Sequence, residues 1–560
     1  MICLSLGLQP DSTREDALRV LRRCRRHADI VELRLDLLPH GCIPDLVAAA
    51  GRPVVATCRL HGRGGEFRSS LSESFRLLTR AVLAGARFVD VDLRDHPAWT
   101  AYIRNFAKDS ACDADRLAKA KVVLSYHDFH GTPRNIAGIL RSLMNKTPWC
   151  AKLCVTTRNA QDAVRLLGLA RSFGDARDQR RSRVKRIVIG MGEPGKFSRI
   201  LYKRLGSVWS YGSHPTDEME SPAGSAAAPH SIRVSAAGYA TSLDSAGPTA
   251  VAPGQVDVRS LGNLYRADRL DRRTAVFAVV GAPLAHTRSP EYFNRRFRRH
   301  GLNGVFIPLE LPDLSGFDEL ARLIELRGAS ITMPHKTEIL RHVRRLSPEA
   351  TAVSAVNTIV WDGHCYVGYN TDAVGLRSLL RRYGSINGAR ALVLGAGGAA
   401  RASVRALAAQ GADVTVSNRT PVRASALAHE CGVRTIPWQA RSGFHADILV
   451  NATSVGMGAA DGARPSQRDL AALPERRITQ SHAARTRPLA GCGPASSEIL
   501  VPAAALRRGV LVVEWVHTPE VTGLVRAACA KGCRVITGVD LFKAQAREQW
   551  KLFKEAIRTR

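Results

Sequence analysis

The segment AKLCVTTRNAQDAVRLLGLARSFG (151–174) carries the reading of the first half of the chain. AKLCVTT (151–157) is a short β-rich apolar run, and AQDAVRLLGLARSFG (160–174) spaces its apolar residues as a helix does. Working outward, the same alternation recurs on both sides. Upstream lie ICLSLGL (2–8), DIVELRLDLL (29–38), PVVATCRL (53–60), FVDVDL (88–93) and KVVLSYHDF (121–129), with SESFRLLTRAVLAG (72–85) as another helical spacer. Downstream lie RIVIGMG (186–192) and GSVWSYG (206–212). Strands alternating with helices pair in parallel. Eight such strands within about 212 residues predict a closed (β/α)8 barrel, with its functional groups at the C-terminal ends of the strands.

Beyond the barrel the character changes. Residues 213–250 are rich in Ala, Ser and Gly and read as a loop or linker. Order resumes at TAVFAVVG (274–281), and ALVLG (391–395) opens a third unit. A polar, irregular stretch covers 460–500, VLVVEWV (510–516) resumes a sheet, and the tail from 521 is mostly helical. Domains are therefore expected at 1–258, 274–378 and 379–520, with 521–560 returning as helices.

Composition narrows the function classes. A hydrophobic content of 45% with 23% charged residues excludes a disordered chain, a collagen and a coiled-coil rod. No run of ~20 apolar residues offers a membrane span. The opening MICLSLGLQPDSTRED does not read as a secretory signal, so a cytoplasmic protein is expected. The 12 cysteines form no CxxC pair and no zinc spacing, which predicts free thiols and no metal site. Net charge is +32, and only 13 of the 81 basic residues are lysine. Such a field steers anionic substrates. The arginines are spread along the chain without a nucleic-acid signature, so no specific nucleic-acid partner is expected.

Strand parity locates chemistry in the first half. Glu32 and Arg34 share parity, and pointing them into the barrel is cheaper than burying them under an apolar helical shell. Arg59, Asp92, His127 and Lys152 repeat the pattern on successive strands. A Lys enclosed by apolar residues and other cations is expected to have a depressed pKa, so that its neutral amine attacks a ketone as a Schiff-base nucleophile. His127 would then move the proton, and the arginines would hold a carboxylate, bidentately where geometry allows. The expected reaction is imine-based elimination of water from a keto acid.

In the second half, GAGGAARAS (395–403) follows a strand and fits G-x-G-x-x-A across Gly395, Gly397 and Ala400, a dinucleotide turn. The next strand ends in Asn418-Arg419-Thr420, and an Arg there suits a 2′-phosphate, so NADP is the expected cofactor. Ser289 before Pro290 reads as a helix N-cap. Lys336, Asn357 and Asp372 each follow an apolar or turn-forming run in one small unit.

Together ELRLD (32–36), SYHDF (125–129), the Lys152 strand, MGEPGKFSR (191–199) and APGQ (252–255) resemble type I 3-dehydroquinate dehydratase. The resemblance implies an imine on Lys152, acid–base work by His127, and orienting roles for Glu32, Arg34, Arg59, Arg199 and Gln255. Arg63 and Val251 depart from that family's pattern, where Glu and Ser are usual. GAPLAHTRSP, ITMPHK, AVNT (355–358), GYNTD (368–372), GAGGAAR, NRT, NATSVGM (451–457) and GVDLFKAQA (538–546) resemble shikimate dehydrogenase. That likeness implies a catalytic pair, Lys336 and Asp372, with substrate held by Thr287, Ser289, Thr332, Asn357 and Gln545. It places NADP(H) on Gly395, Ala396, Gly397, Gly398, Ala399, Asn418, Arg419, Thr420, Thr453 and Gly538. His517 stands where a Tyr is usual.

The expected architecture is thus α/β: a TIM barrel, then a two-domain dehydrogenase unit with a Rossmann NADP-binding domain. The order matches a fused enzyme that dehydrates 3-dehydroquinate to 3-dehydroshikimate and reduces it to shikimate. Two alternatives remain at this point: a catalytically impaired metabolite sensor or repressor, and quinate dehydrogenase activity in the second half.

Overall fold

The computed structural model describes residues 1–8, 12–109, 111–172, 183–215, 254–284, 287–457, 500–501 and 505–558. The chain forms two compact units, Met1–Ala329 and Ser330–Arg560. No helix of the described residues is long and apolar enough to cross a membrane. The linker expected over 213–250 and the irregular stretch over 460–500 fall almost wholly outside the described residues, as does Val251.

In the first unit the strands are β1 (Ile2–Leu6), β2 (Ile30–Arg34), β3 (Val54–Thr57), β4 (Phe88–Asp92), β5 (Lys121–Asp128), β6 (Cys150–Thr156), β7 (Lys185–Met191), β8 (Ser210–Ser213) and β9 (Val256–Asp257). They form one sheet in the order β7-β6-β5-β4-β3-β2-β1-β8-β9. Every strand pairing in this sheet is parallel, as helix-bearing crossovers require. The sheet wraps around one apolar cluster containing Cys3, Ile30, Val55, Phe88, Val123, Cys150, Ile187 and Trp209. Seven of these come from β1–β7 and Trp209 precedes β8, so a single interior serves all eight strands. The ring differs from the expected closed ladder at one seam. β7 and β8 share no strand ladder, and the seam is bridged where Val208 N–H donates to Arg186 O at 3.0 Å and Val188 N–H donates to Ser207 Oγ at 2.9 Å.

The opposite parity packs outward. Leu124, Ala151, Leu153, Val155 and Val188 join Leu140 and Leu143 of helix Ile136–Asn145 in a second cluster. This period-two division puts apolar side chains under the helices and leaves alternate positions to line the interior.

The rest of this unit pairs β10 (Ala275–Gly281) with β11 (Gly304–Glu310) in parallel, through helix Ser289–Arg299. Asn294 clamps that helix to β11, donating to Phe306 O at 2.8 Å and accepting from Phe306 N at 2.9 Å. Ser289 is not the N-cap expected of it. Arg288 occupies the cap position, no side chain caps it, and Ser289 is the first helical residue. A proline at the second position needs no N–H partner, so the helix starts one residue early.

β12 (Leu326–Ile331) carries the chain into the second unit. There β14 (Thr358–Trp361) and β15 (Tyr366–Tyr369) form an antiparallel pair, with β13 (Arg345–Leu346) parallel to β15. A parallel sheet follows from β16 (Arg390–Leu394), β17 (Asp413–Ser417), β18 (Arg434–Thr435), β19 (Ile448–Asn451), β20 (Leu511–Glu514) and β21 (Arg534–Ile536). Its order, β18-β17-β16-β19-β20-β21, is the 3-2-1-4-5-6 order of a doubly wound dinucleotide-binding sheet. β21 comes from within the mostly helical tail and extends the sheet past residue 520. The order reverses between β16 and β19, so a ligand crevice belongs at their C-terminal ends. Helix Gly538–Arg558 packs on helix Thr371–Leu380 so closely that a Cβ on Gly375 would lie 2.9 Å from Gln545 N.

Candidate active sites

Above the aromatic floor of the barrel, where Phe88 and Trp209 rings sit 5.5 Å apart, the inward positions turn polar. Ser5, Glu32, Thr57, Asp90, Ser125 and Lys152 are all buried, and six strands supply one each. Lys152 Nζ donates to Asp90 at 2.9 Å and to Glu32 at 3.4 Å, and lies 4.2 Å from the Tyr211 ring centroid. Glu32 is fixed by the hydroxyls of Ser5 and Thr57. Asp90 accepts from Ser125 Oγ at 2.6 Å and from Arg59 at 3.0 Å.

This arrangement reverses the expected ionisation of Lys152. Burial disfavours its charge, but Asp90 and then Glu32 outweigh that effect, and its pKa is raised rather than depressed. The resting side chain is an ammonium ion. The depressed value expected from neighbouring cations overlooked Asp90, which shares parity with Phe88 and Asp92 in FVDVDL and was legible on that ground. Asp90 is itself held below the usual carboxylate range: burial works against its charge, and Lys152, Arg59 and Ser125 prevail.

At the rim, Arg59 Nη1 lies 2.9 Å from His127 Nδ1. A guanidinium only donates, so Nδ1 accepts and the ring proton sits on Nε2. Enclosure, then Arg59 and Lys152, push the His127 pKa well below its ordinary value and keep the ring neutral. Arg59 also faces Asp92 at 3.7 Å, and Arg94 grips Asp92 through two bonds of 2.7 and 2.8 Å. Arg34 is already bidentate, to Asp36 at 2.9 and 2.7 Å, so in this structure its fork is spent on a neighbour two residues away. Arg199 is buried, donates to Gly254 O at 3.1 Å, and has its pKa lowered to about 10 by desolvation.

Glu32, Arg34, Arg59, His127 and Lys152 line one cleft together with Phe129, Cys154, Arg199, Tyr211 and Gln255. Gly64 forms part of the wall, and a Cβ there would overlap the Phe129 ring at 1.9 Å. Arg63, next to it, turns to Asp95 at 3.5 Å. A keto acid entering this cleft would meet an amine, a neutral imidazole and cationic walls.

In the second unit, Lys336 Nζ and Asp372 Oδ2 are 2.5 Å apart, with Asp372 buried and Lys336 partly exposed. Asn370 caps helix Thr371–Leu380, which presents Asp372 in its first turn. Asn357 donates to Gln545 Oε1 at 3.2 Å, while its Oδ1 accepts from Thr371 N, Thr371 Oγ1 and Thr358 Oγ1. Gln549, absent from the expected set, ties this knot to Ser330 and Thr358. It lies one helical turn beyond Gln545, a spacing that sequence does contain. Thr332 opens the turn to Lys336, its carbonyl accepting from His335 N at 3.0 Å. Thr287 and Ser289 lie in the first unit, the Ser289 N–H donating to Thr287 Oγ1 at 3.4 Å.

The dinucleotide turn meets the requirements of its ligand. Gly395 has φ +115°, and a Cβ there would lie 2.7 Å from Ala452 O. Ala396 leads to Gly397, which caps helix Gly398–Ala408 with no side-chain bond, leaving the first N–H groups open to phosphate, and Ala399 follows in the first turn. The stem of Lys336 packs on Gly398, 3.1 Å from where a Cβ would be. At the end of β17, Asn418 donates to Thr420 O at 3.0 Å, and Arg419 is exposed. An open helix N-terminus with an adjacent exposed Arg fits a dinucleotide bearing a 2′-phosphate. Thr453 is bound to Asn451, and Gly538 lies under Val516 O, where a Cβ would stand at 2.2 Å. His517 lies parallel to Phe542, ring centroids 6.3 Å apart.

Residues 2–244 match the type I 3-dehydroquinase model, residues 279–359 the shikimate dehydrogenase substrate binding domain, and residues 378–456 the shikimate/quinate 5-dehydrogenase model. The NADP(+) shikimate dehydrogenase of Maridesulfovibrio salexigens is 34% identical over 282 residues, covering 50% of this chain and 90% of its own. The chain belongs to the shikimate dehydrogenase family, with a type I 3-dehydroquinase domain fused ahead of it. Another shikimate dehydrogenase (NADP(+)), from Pyrococcus abyssi, is 32% identical over 50% of this chain and 91% of its own. The fusion itself has a relative: the chloroplastic bifunctional 3-dehydroquinate dehydratase/shikimate dehydrogenase of Arabidopsis thaliana is 27% identical, covering 94% of this chain and 77% of that protein.

Proposed function

We propose that this bifunctional 3-dehydroquinate dehydratase and NADP-dependent shikimate dehydrogenase of the shikimate pathway works through two lysine–carboxylate centres. One is Lys152 with Asp90 and Glu32, the other Lys336 with Asp372. In the first, Lys152 passes a proton to Asp90 and its amine attacks the ketone of 3-dehydroquinate; the proton returns to the carbinolamine hydroxyl, which leaves as water, and an iminium remains. His127 takes the acidified proton from carbon and returns it to the departing hydroxyl. Water then releases 3-dehydroshikimate and the free amine. Arg199 and Gln255 face the substrate, while Arg59 and Glu32 position His127 and Lys152. Arg34 acts through its pair with Asp36.

In the second centre NADPH, when bound, supplies the hydride. Lys336 gives a proton to the developing alkoxide, and Asp372 holds the ammonium in place for it. Asn357 and Gln545, already bonded to each other, orient substrate hydroxyls together with Thr332. The domains are proposed at 1–258, 274–378 and 379–520, with 521–560 closing the dehydrogenase half and lending one strand, β21, to the dinucleotide sheet. Ten described cysteines are free, which suits a reducing compartment such as the cytoplasm. Imaging of the tagged full chain checks that placement.

One time course tests the assignment: purified protein with 3-dehydroquinate and NADPH, following enone and NADPH absorbance together. The expected result is transient enone and full NADPH consumption. Enone that accumulates with NADPH untouched overturns the second centre, and no signal at all overturns the first.

A further inference from the structure

β19 and β20 end side by side on Asn451 and Glu514, and both side chains are fully buried. Glu514 Oε1 accepts from Asn451 Nδ2 and from Val516 N–H, each at 2.9 Å. Its Oε2 accepts from Thr522 Oγ1 at 2.8 Å and again from Asn451 Nδ2 at 3.1 Å. A carboxylate only accepts, so it obliges Asn451 to present its amide NH2. The Asn451 Oδ1 is thereby turned to Thr453, whose N–H and hydroxyl donate to it at 3.0 and 2.8 Å. Thr453 Oγ1 in turn accepts from Val455 N at 3.1 Å.

This loop is a wall of the dinucleotide turn. A Cβ on Gly395 would lie 2.7 Å from Ala452 O and 3.4 Å from Thr453 Cγ2. The residue after Glu514 grips the other side: Trp515 Nε1–H donates to Ser403 Oγ at 2.9 Å, within helix Gly398–Ala408. The end of β20 therefore holds both the loop after β19 and the helix after β16.

We propose that Glu514 is a positioning residue for NADP(H), fixing the Asn451–Val455 loop against the Gly395 turn by dictating the orientation of the Asn451 amide. The inference rests on the assignment of that turn as the cofactor site. Glu514→Gln keeps the shape but removes the charge and puts an NH2 in place of one acceptor oxygen. The Thr522 hydroxyl can turn to accept from that NH2, but the Asn451 amide, 3.1 Å from the replaced oxygen, cannot, so Asn451 loses one of its two acceptors and part of its hold on the loop.

The test is titration of the purified full chain with NADPH, read by nucleotide fluorescence, beside dehydratase assays on the same preparations. The Glu514→Gln chain should bind NADPH about tenfold more weakly, the loss expected for one lost charged hydrogen bond. Its dehydratase kcat/KM and its shikimate KM at saturating cofactor should stay within about twofold. An unchanged NADPH Kd, or a rise in shikimate KM in its place, overturns the inference. Should the variant lose the folded second unit, Thr522→Val, which removes one of the four bonds and also the hydroxyl cap on Val525 N–H, must weaken NADPH binding by about threefold in a chain whose second unit still unfolds cooperatively; no change there overturns it too. A wild-type chain that fails to bind NADPH would overturn the cofactor assignment itself, a distinguishable failure.

Discussion

At the scale of the residue, the decisive fact is the charge on Lys152. Two carboxylates hold the amine as an ammonium, so nucleophilic attack requires its deprotonation. Lys152→Ala should reduce dehydration by at least about 10³-fold and abolish borohydride trapping of substrate, while shikimate oxidation persists; mass spectrometry and the two assays check this. Because Asp90 is the largest influence raising the Lys152 pKa, Asp90→Asn should move the alkaline rise of imine trapping to lower pH. A limb that stays put would show that Asp90 does not set the proton affinity. Asp36 titrates in the opposite sense. Its pKa is lowered: burial opposes the charge and Arg34 overrules it. The stability it adds is present above the unfolded value near ~4 and is lost as pH falls through the folded one. Asp36→Asn should therefore cost stability at pH 7, and the difference from wild type should shrink below about pH 4 in denaturant titrations.

Elements determine how those residues meet. Strand period two stacks Val123, Ser125 and His127 on one face of β5, and Cys150, Lys152 and Cys154 on one face of β6, where Ser125 sits level with Lys152. Below them the floor is aromatic, with Trp149 and Trp209 stacked at 5.5 Å and Phe88 across them. Removing Trp209 leaves a cavity under the polar layer. Trp209→Ala should destabilise the first unit by about 3–5 kcal/mol, read by calorimetry, and cost dehydration more than reduction. In the second unit the equivalent element is the turn after β16. It needs a residue tolerating φ +115° within 2.7 Å of a carbonyl, which only glycine meets at Gly395.

For the whole molecule, the net charge of +32 bears on anionic substrates before any contact forms. Raising salt from about 0.05 to 0.5 M should lower kcat/KM for 3-dehydroquinate about threefold and leave kcat nearly unchanged. A salt-independent kcat/KM would mean that the arginines are locally neutralised. The barrel sheet with its Lys152 centre lies in the first unit, and the dinucleotide sheet and the Lys336–Asp372 pair lie in the second, so damage at one centre should spare the other activity.

The periodicities along the chain were enough to predict eight inward-facing strands, the polar residues that share their parity, and a glycine turn between a strand and a helix. These are local consequences of backbone geometry, since a two-residue or 3.6-residue repeat chooses a face without reference to distant partners. The tertiary structure alone decided what those residues are bonded to. Asp90 reaches Lys152 across 62 positions and inverts its ionisation, while Arg34 is locked to Asp36 and Ser289 slips from cap to first turn. The knot of Glu514, Asn451 and Thr522 also forms only when two strand ends are brought together. Proton affinity and hydrogen-bond choice depend on distances between residues far apart in the chain, and folding sets those distances.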